Sequence, residues 1–126
     1  MAWVCADPEK YAGRVLDTGH CVRYVQIAAN MPHTSQWRRG AKVRGNDVPQ
    51  GTIIATFDPN GRYGNHTDGR SHAAVFDAEV TTGLVVWDCW RGQPVHKRTI
   101  RWGQPKPVNN GDAFYVVEEE LPPLAD

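Results

Sequence analysis

Cys21 heads an apolar-periodic run in "DTGHCVRYVQ" (17–26), and His72 opens another, "HAAVFDAEV" (72–80). A thiol at its ordinary pKa of about 8.5 is mostly protonated at neutral pH, and its nucleophilic form is the thiolate. A helix N-terminus favours that anion through unpaired N–H groups, and an imidazole favours it by taking the proton. Cys21 meets the first condition by position. Asp17 or Thr18 is placed to cap a helix that begins there, and Pro32 to stop it after about Asn30. Five histidines are candidates for the second condition. His20 is adjacent, but successive helical residues point about 100° apart and do not face each other. His33 and His66 lie in polar loops and His96 in a short connection, which leaves His72 at the mouth of a strand.

A third polar residue follows in the next apolar segment. "LVVWDCW" (84–90) carries Asp88 between Trp87 and Cys89, and a carboxylate in such a strand needs a partner, which an imidazole N–H supplies. Thr81, Thr82 and Gly83 join the two segments as a hairpin. With a three-residue turn, Val80 pairs with Leu84 and His72 falls opposite Gly92. Asp88 then lies four residues further along, which gives proximity to His72 within one hairpin without establishing a hydrogen bond, and a change of register alters its face.

These residues need a frame. "DPEKYAGRVL" predicts a short helix with Pro8 at its first position, and the second helix carries Val22, Val25 and Ala29 beside the stripe Cys21, Tyr24 and Ala28. "MPHTSQWRRGAKVRGNDVPQG" reads mostly as irregular chain. Strands are predicted at "TIIATF" (52–57), 72–80, 84–90, "KRTIRW" (97–102) and "AFYVVEE" (113–119). The Gly- and Asn-rich stretch 58–71 is a loop of the length that usually carries function. One domain spans 1–126, since 126 residues suffice for a single core.

Charge excludes some classes of partner. Lys plus Arg and Asp plus Glu are 14 each, so no net field draws the chain to nucleic acid or a membrane surface. No segment approaches a membrane span, and the N-terminus lacks the pattern of a classical signal peptide. The 3 cysteines form no C-x-x-C, which argues against a disulfide framework and a zinc knuckle; one bridge, Cys5 with Cys89, would leave Cys21 free. No metal or other cofactor is expected, because Cys21, His72 and Cys89 lack close-spaced ligand pairs.

"GHCVRYVQ", "HAAVF" and "VVWDCW" resemble the papain-like amidohydrolases of the NlpC and CHAP type. In these an α+β fold packs a Cys-headed helix on a mainly antiparallel sheet, here of about five strands. More narrowly, "GHCVRYVQ", "TSQWRRGAKVRGN", "GTIIATF" and "HAAVF...VVWDCWRGQPVHKR" resemble the third family of type VI secretion amidase effectors, over about residues 13 to 103. The resemblance implies a peptidoglycan amidase with Cys21 as nucleophile, His72 as base and Asp88 as third residue, a position that varies across the superfamily. It implies cleavage between D-alanine and meso-diaminopimelate, with the γ-D-glutamyl to diaminopimelate bond as the alternative. It also implies synthesis in the cytoplasm, delivery by the type VI apparatus into a target cell's periplasm, and a cognate immunity protein. Stem peptides carry carboxylates, so Arg38 and Arg39, within a basic run continued by Lys42 and Arg44, are candidates for substrate contact together with His66 and Trp90. A competing reading is a catalytically inactive peptidoglycan-binding module, with Cys21 a buried hydrophobe and His72 a satisfied strand-end histidine.

Overall fold

Three segments of alternating pattern set the architecture. In a computed structural model, which describes residues 2–119, they become the hairpin β3 (Ala73–Val80) and β4 (Gly83–Trp90) with β5 (Gln93–Arg101) beside it. β1 (Trp37–Lys42), β2 (Ile53–Thr56) and β6 (Phe114–Glu119) complete a six-stranded sheet in the order β1-β6-β2-β3-β4-β5, every neighbouring pair antiparallel. Among the described residues one α-helix, α1 (Cys21–Ala29), packs on β3 and β4, so the fold is α+β with a Cys-headed helix on the sheet, as expected. The first expected helix is only a 3₁₀ turn, Pro8–Tyr11.

Strand periodicity divides the core in two. Ala73, Val75, Cys89 and Val95 face α1 and pack with Tyr24 and Val25. Tyr24 and Val25 are fully buried, each worth about 1.5–3 kcal/mol of apolar burial by typical magnitudes. Ala74, Phe76, Leu84, Val86 and Ile100 pack on the opposite face with Phe114. On that second face the apolar row gives way to His72, Asp88 and Arg98 at one end of the same strands.

The sheet has one strand more than expected. β1 lies in the segment read as irregular, because "WRRGAK" buries only Trp37 fully and points charged side chains outward, as edge strands do. Backbone pairing with β6, rather than an apolar alternation, makes it a strand.

The hairpin register also differs from the three-residue turn. Val80 pairs with Gly83, so the turn is Thr81–Thr82, and a bulge at Asp77 shifts the register by one more before Phe76 pairs with Val86. Continued past Val75↔Trp87, this register sets Ala74 opposite Asp88. His72 is then two residues from Asp88 rather than four, a diagonal neighbour on the same face. Gly83 is needed for close approach: a Cβ there would lie 2.1 Å from the Ile100 carbonyl oxygen of β5.

Candidate active site

Cys21 is the first residue of α1, and the chain reaches it through Gly19, whose φ of +82° suits glycine. The Gly19 carbonyl accepts from Cys89 Sγ at 3.6 Å, tying this entry loop to β4. Neither expected cap is used. The N-cap is His20, with no side-chain hydrogen bond into the helix; Asp17, at φ 53°, instead accepts from Arg23 at 2.7 Å, and Thr18 meets only the His20 N–H, at 3.5 Å. The first-turn N–H groups therefore remain available to an anion. At the other end Asn30 adopts the left-handed conformation that closes the helix before Pro32.

His72 is positioned by its backbone. Its N–H donates to Thr56 Oγ1 and its carbonyl accepts the Thr56 N–H, both at 3.0 Å. Nε2 donates to Asp88 Oδ2 at 2.7 Å, which leaves Nδ1 as the ring nitrogen that meets Cys21. Asp88 is completely buried and is gripped on its other side by Arg98, whose Nε lies 2.8 and 3.1 Å from the two oxygens and whose Nη2 lies 2.8 Å from Oδ2. Cys21, His72 and Asp88 thus form one connected chain of contacts.

The electrostatics follow from these contacts. Burial alone would raise the Cys21 thiol, but hydrogen bonding and charge from His72, helped by the Ala73 N–H and the Tyr63 hydroxyl, hold it below its ordinary value. Burial alone would likewise lower His72, but Asp88 and Cys21 outweigh it and bring the imidazole up to about 9. Burial would raise Asp88, and His72 with Arg98 keep its carboxyl below the usual range. A thiol lowered by a neighbouring imidazole, which is itself oriented by a carboxylate, has the arrangement that cysteine nucleophiles use. Cys5 and Cys89 are different: both are buried, and burial raises their thiols, Cys89 to about 12. All three cysteines are free thiols, so the Cys5–Cys89 bridge is not formed.

A cleft of about 710 Å³ opens over Cys21 and His72. The 58–71 loop builds one wall with Tyr63, Asn65 and His66, and Trp90, Arg91 and Arg98 stand on another. His66 therefore reaches the cleft, its Nε2 held by Asp58 at 2.9 Å, and so does Trp90. Arg38 and Arg39 do not. They lie on edge strand β1, where Arg38 Nη1 donates to the Ser35 and Trp37 carbonyls and Arg39 covers the Tyr115 ring at 5.5 Å. Arg44 of the same run is spent on Asp112, at 2.7 Å.

Two residues escaped the sequence reading. Arg98 shared Asp88's signal, a charge on the inward-facing row of a strand that also carries Ile100. Tyr63 was hidden in a polar loop. Its ring is buried against Trp37 and Phe57, with centroids at 5.0 and 6.3 Å, and its hydroxyl meets Cys21 Sγ. Burial and Cys21 keep the phenol protonated, so it is a fixed donor to the thiolate. Tyr63→Phe keeps the ring and removes the donor. The pH of half-maximal Cys21 alkylation is expected to rise by about one pH unit, measured with iodoacetamide, and an unchanged profile would show that the hydroxyl does not act on the thiolate.

Residues 1–117 match the family described as Domesticated amidase effector 2. A protein of that description from Ixodes scapularis is 37% identical, covering 90% of this chain and 83% of its own length. A type VI secretion amidase effector 2 protein from Salmonella typhi is 39% identical, covering 78% of this chain and 84% of its own. A solved structure of a type 6 secretion amidase effector 2 superposes with a TM-score of 0.77 at 34% identity, covering 94% of this chain and 96% of that one.

Proposed function

This chain belongs to the Domesticated amidase effector 2 family, and from that premise we propose that it hydrolyses the amide between D-alanine and meso-diaminopimelate in peptidoglycan cross-links, with Cys21 as nucleophile. The resemblance to type VI amidase effectors holds at the level of the class, while the matching family is the second rather than the third. The observation that carries the mechanism is the contact of Cys21, at the uncapped head of α1, with an imidazolium held by a buried carboxylate.

The Cys21 thiolate attacks the carbonyl carbon and forms a C–S bond, and the displaced electron pair makes an oxyanion. The Cys21 N–H at the start of α1 faces that oxygen. As the C–N bond breaks, His72 Nδ1 gives its proton to the departing amine, leaving a thioester. His72 then takes a proton from water, whose oxygen attacks the thioester; the C–S bond breaks, the acid product leaves, and the Cys21 thiolate beside the His72 imidazolium is restored. Asp88 keeps the ring oriented throughout. The γ-D-glutamyl to diaminopimelate bond is the second reading. Delivery to the periplasm of target bacteria, and neutralisation by an immunity protein seated in the cleft, extend the same reading on the strength of the Salmonella typhi relative's type VI description.

Digestion of purified cross-linked peptidoglycan tests the bond. Wild type is expected to convert dimers to monomers with free D-alanine carboxyl ends by mass spectrometry, and Cys21→Ala to leave dimers intact. New ends at glutamate would transfer the assignment to the second bond. Intact dimers and intact stems with folded wild type would refute the amidase assignment and favour the binding-module reading.

A further inference from the structure

The cleft is charged with one sign. Arg23, Arg91 and Arg98 line it, and among the described residues no Asp or Glu side chain does. Arg23 is committed to Asp17 at 2.7 Å. Arg98 is committed along one edge only, since Nε and Nη2 take Asp88. Arg91 is exposed and makes no ion pair among the described residues. Both groups flank Trp90: the Arg98 guanidinium lies 4.9 Å from its ring centroid, and Arg91 follows it in the chain. The hairpin register continued to the strand end sets Trp90 opposite His72, so the two guanidinium groups stand on the His72 side of the cleft, beside the residue assigned above to protonate the leaving amine.

We propose that Arg91 and the outer edge of Arg98 form a subsite for a carboxylate on the α-carbon of the leaving amine. The preferred substrate is then an amide whose amine-side residue keeps its own carboxylate free. This rests on the amidase assignment above and sharpens it. In the D-alanine to diaminopimelate cross-link, the carbon beside the scissile nitrogen carries a free carboxylate. In the γ-D-glutamyl to diaminopimelate bond, the corresponding carboxyl is already consumed in the next peptide bond. A guanidinium fork binds a carboxylate through paired N–H donors, so the subsite favours the first bond over the second.

The test uses a synthetic acyl-D-alanyl-diaminopimelate substrate and its analogue amidated at the carboxyl beside the scissile nitrogen. Wild type is expected to cleave the free acid at least about tenfold better in kcat/KM, the size of one charged hydrogen bond. Arg91→Ala, an exposed position that leaves the fold intact, is expected to narrow that preference to about threefold or less, by the same reasoning. Arg98→Lys keeps a cation on Asp88 but loses the fork, and is expected to narrow it as well. Equal cleavage by wild type, or full preference retained in both variants, overturns the subsite. If wild type cleaves neither substrate, the amidase assignment fails, yet the subsite is still read through the thiol. Free diaminopimelate is expected to slow iodoacetamide alkylation of Cys21 more than its amide does, in an Arg91-dependent way, and equal protection by both overturns it.

Discussion

Replacing His72 with alanine is expected to lower amide hydrolysis at pH 7 by roughly 10⁴-fold, because it removes the base, the proton donor and the thiolate's counter-ion together. Burial of Cys21 is then unopposed by the imidazolium, and its thiol moves up. Alkylation reads this without substrate. In wild type, Cys21 is expected to react near neutral pH well before Cys5 and Cys89, whose thiols burial raises. In His72→Ala that advantage is lost. Equal, slow labelling of all three cysteines in wild type would remove the nucleophile assignment.

The pH dependence follows with a definite sign. The thiolate–imidazolium pair exists above the depressed pKa of Cys21 and below the raised pKa of His72, at about 9. Wild-type kcat/KM is therefore expected to fall on the acid side as the thiolate takes a proton. It is expected to fall again as pH rises through about 9, where the imidazole no longer holds the proton for the leaving amine. His72→Ala should lack the alkaline limb, and a wild-type profile flat through that pH would contradict the ion pair.

Asp88→Ala is expected to cost both stability and activity. The carboxylate is fully buried between two cationic partners, Arg98 and the His72 imidazolium, with contacts of 2.7 to 3.1 Å. Removing it leaves those cations facing each other, and breaking such a buried pair typically costs about 3–5 kcal/mol, measurable by urea unfolding at pH 6. Loss of the Nε2 partner also frees the ring, and hydrolysis is expected to drop by roughly 10⁴-fold, as when a triad carboxylate is neutralised. Because the folded protein holds this carboxyl below its ordinary value, its contribution is whole above about pH 4 and is lost as the pH falls further. The stability gap between wild type and variant should therefore close on acidification. A variant as stable as wild type at pH 6 would show that Asp88 does not hold the two cations together.

How legible the site was in the chain depended on how local its signals are. Cys21 at a helix head, His72 at a strand mouth and Asp88 in an apolar strand are each a residue type against a local pattern, and all three meet in the structure. Arg38 and Arg39 were grouped by sequence proximity and charge, and strand pairing of β1 with β6 carries them to the far edge of the sheet. The caps misled for a related reason: Asp17 was judged by its distance from the helix, whereas a left-handed backbone turns its carboxylate to Arg23.

The sequence by itself singled out Cys21, His72 and Asp88 as residues set against their local patterns, because strand and helix periods turn residue order into side-chain direction. Only the tertiary structure decided which of those faces meet. The two-residue turn and the bulge at Asp77 place His72 diagonal to Asp88, and β5 brings Arg98 onto the same carboxylate. The 58–71 loop carries the Tyr63 hydroxyl to the thiol. Register and loop course are set by turn geometry and long-range packing, which act between residues far apart in the chain and leave no periodic trace in it.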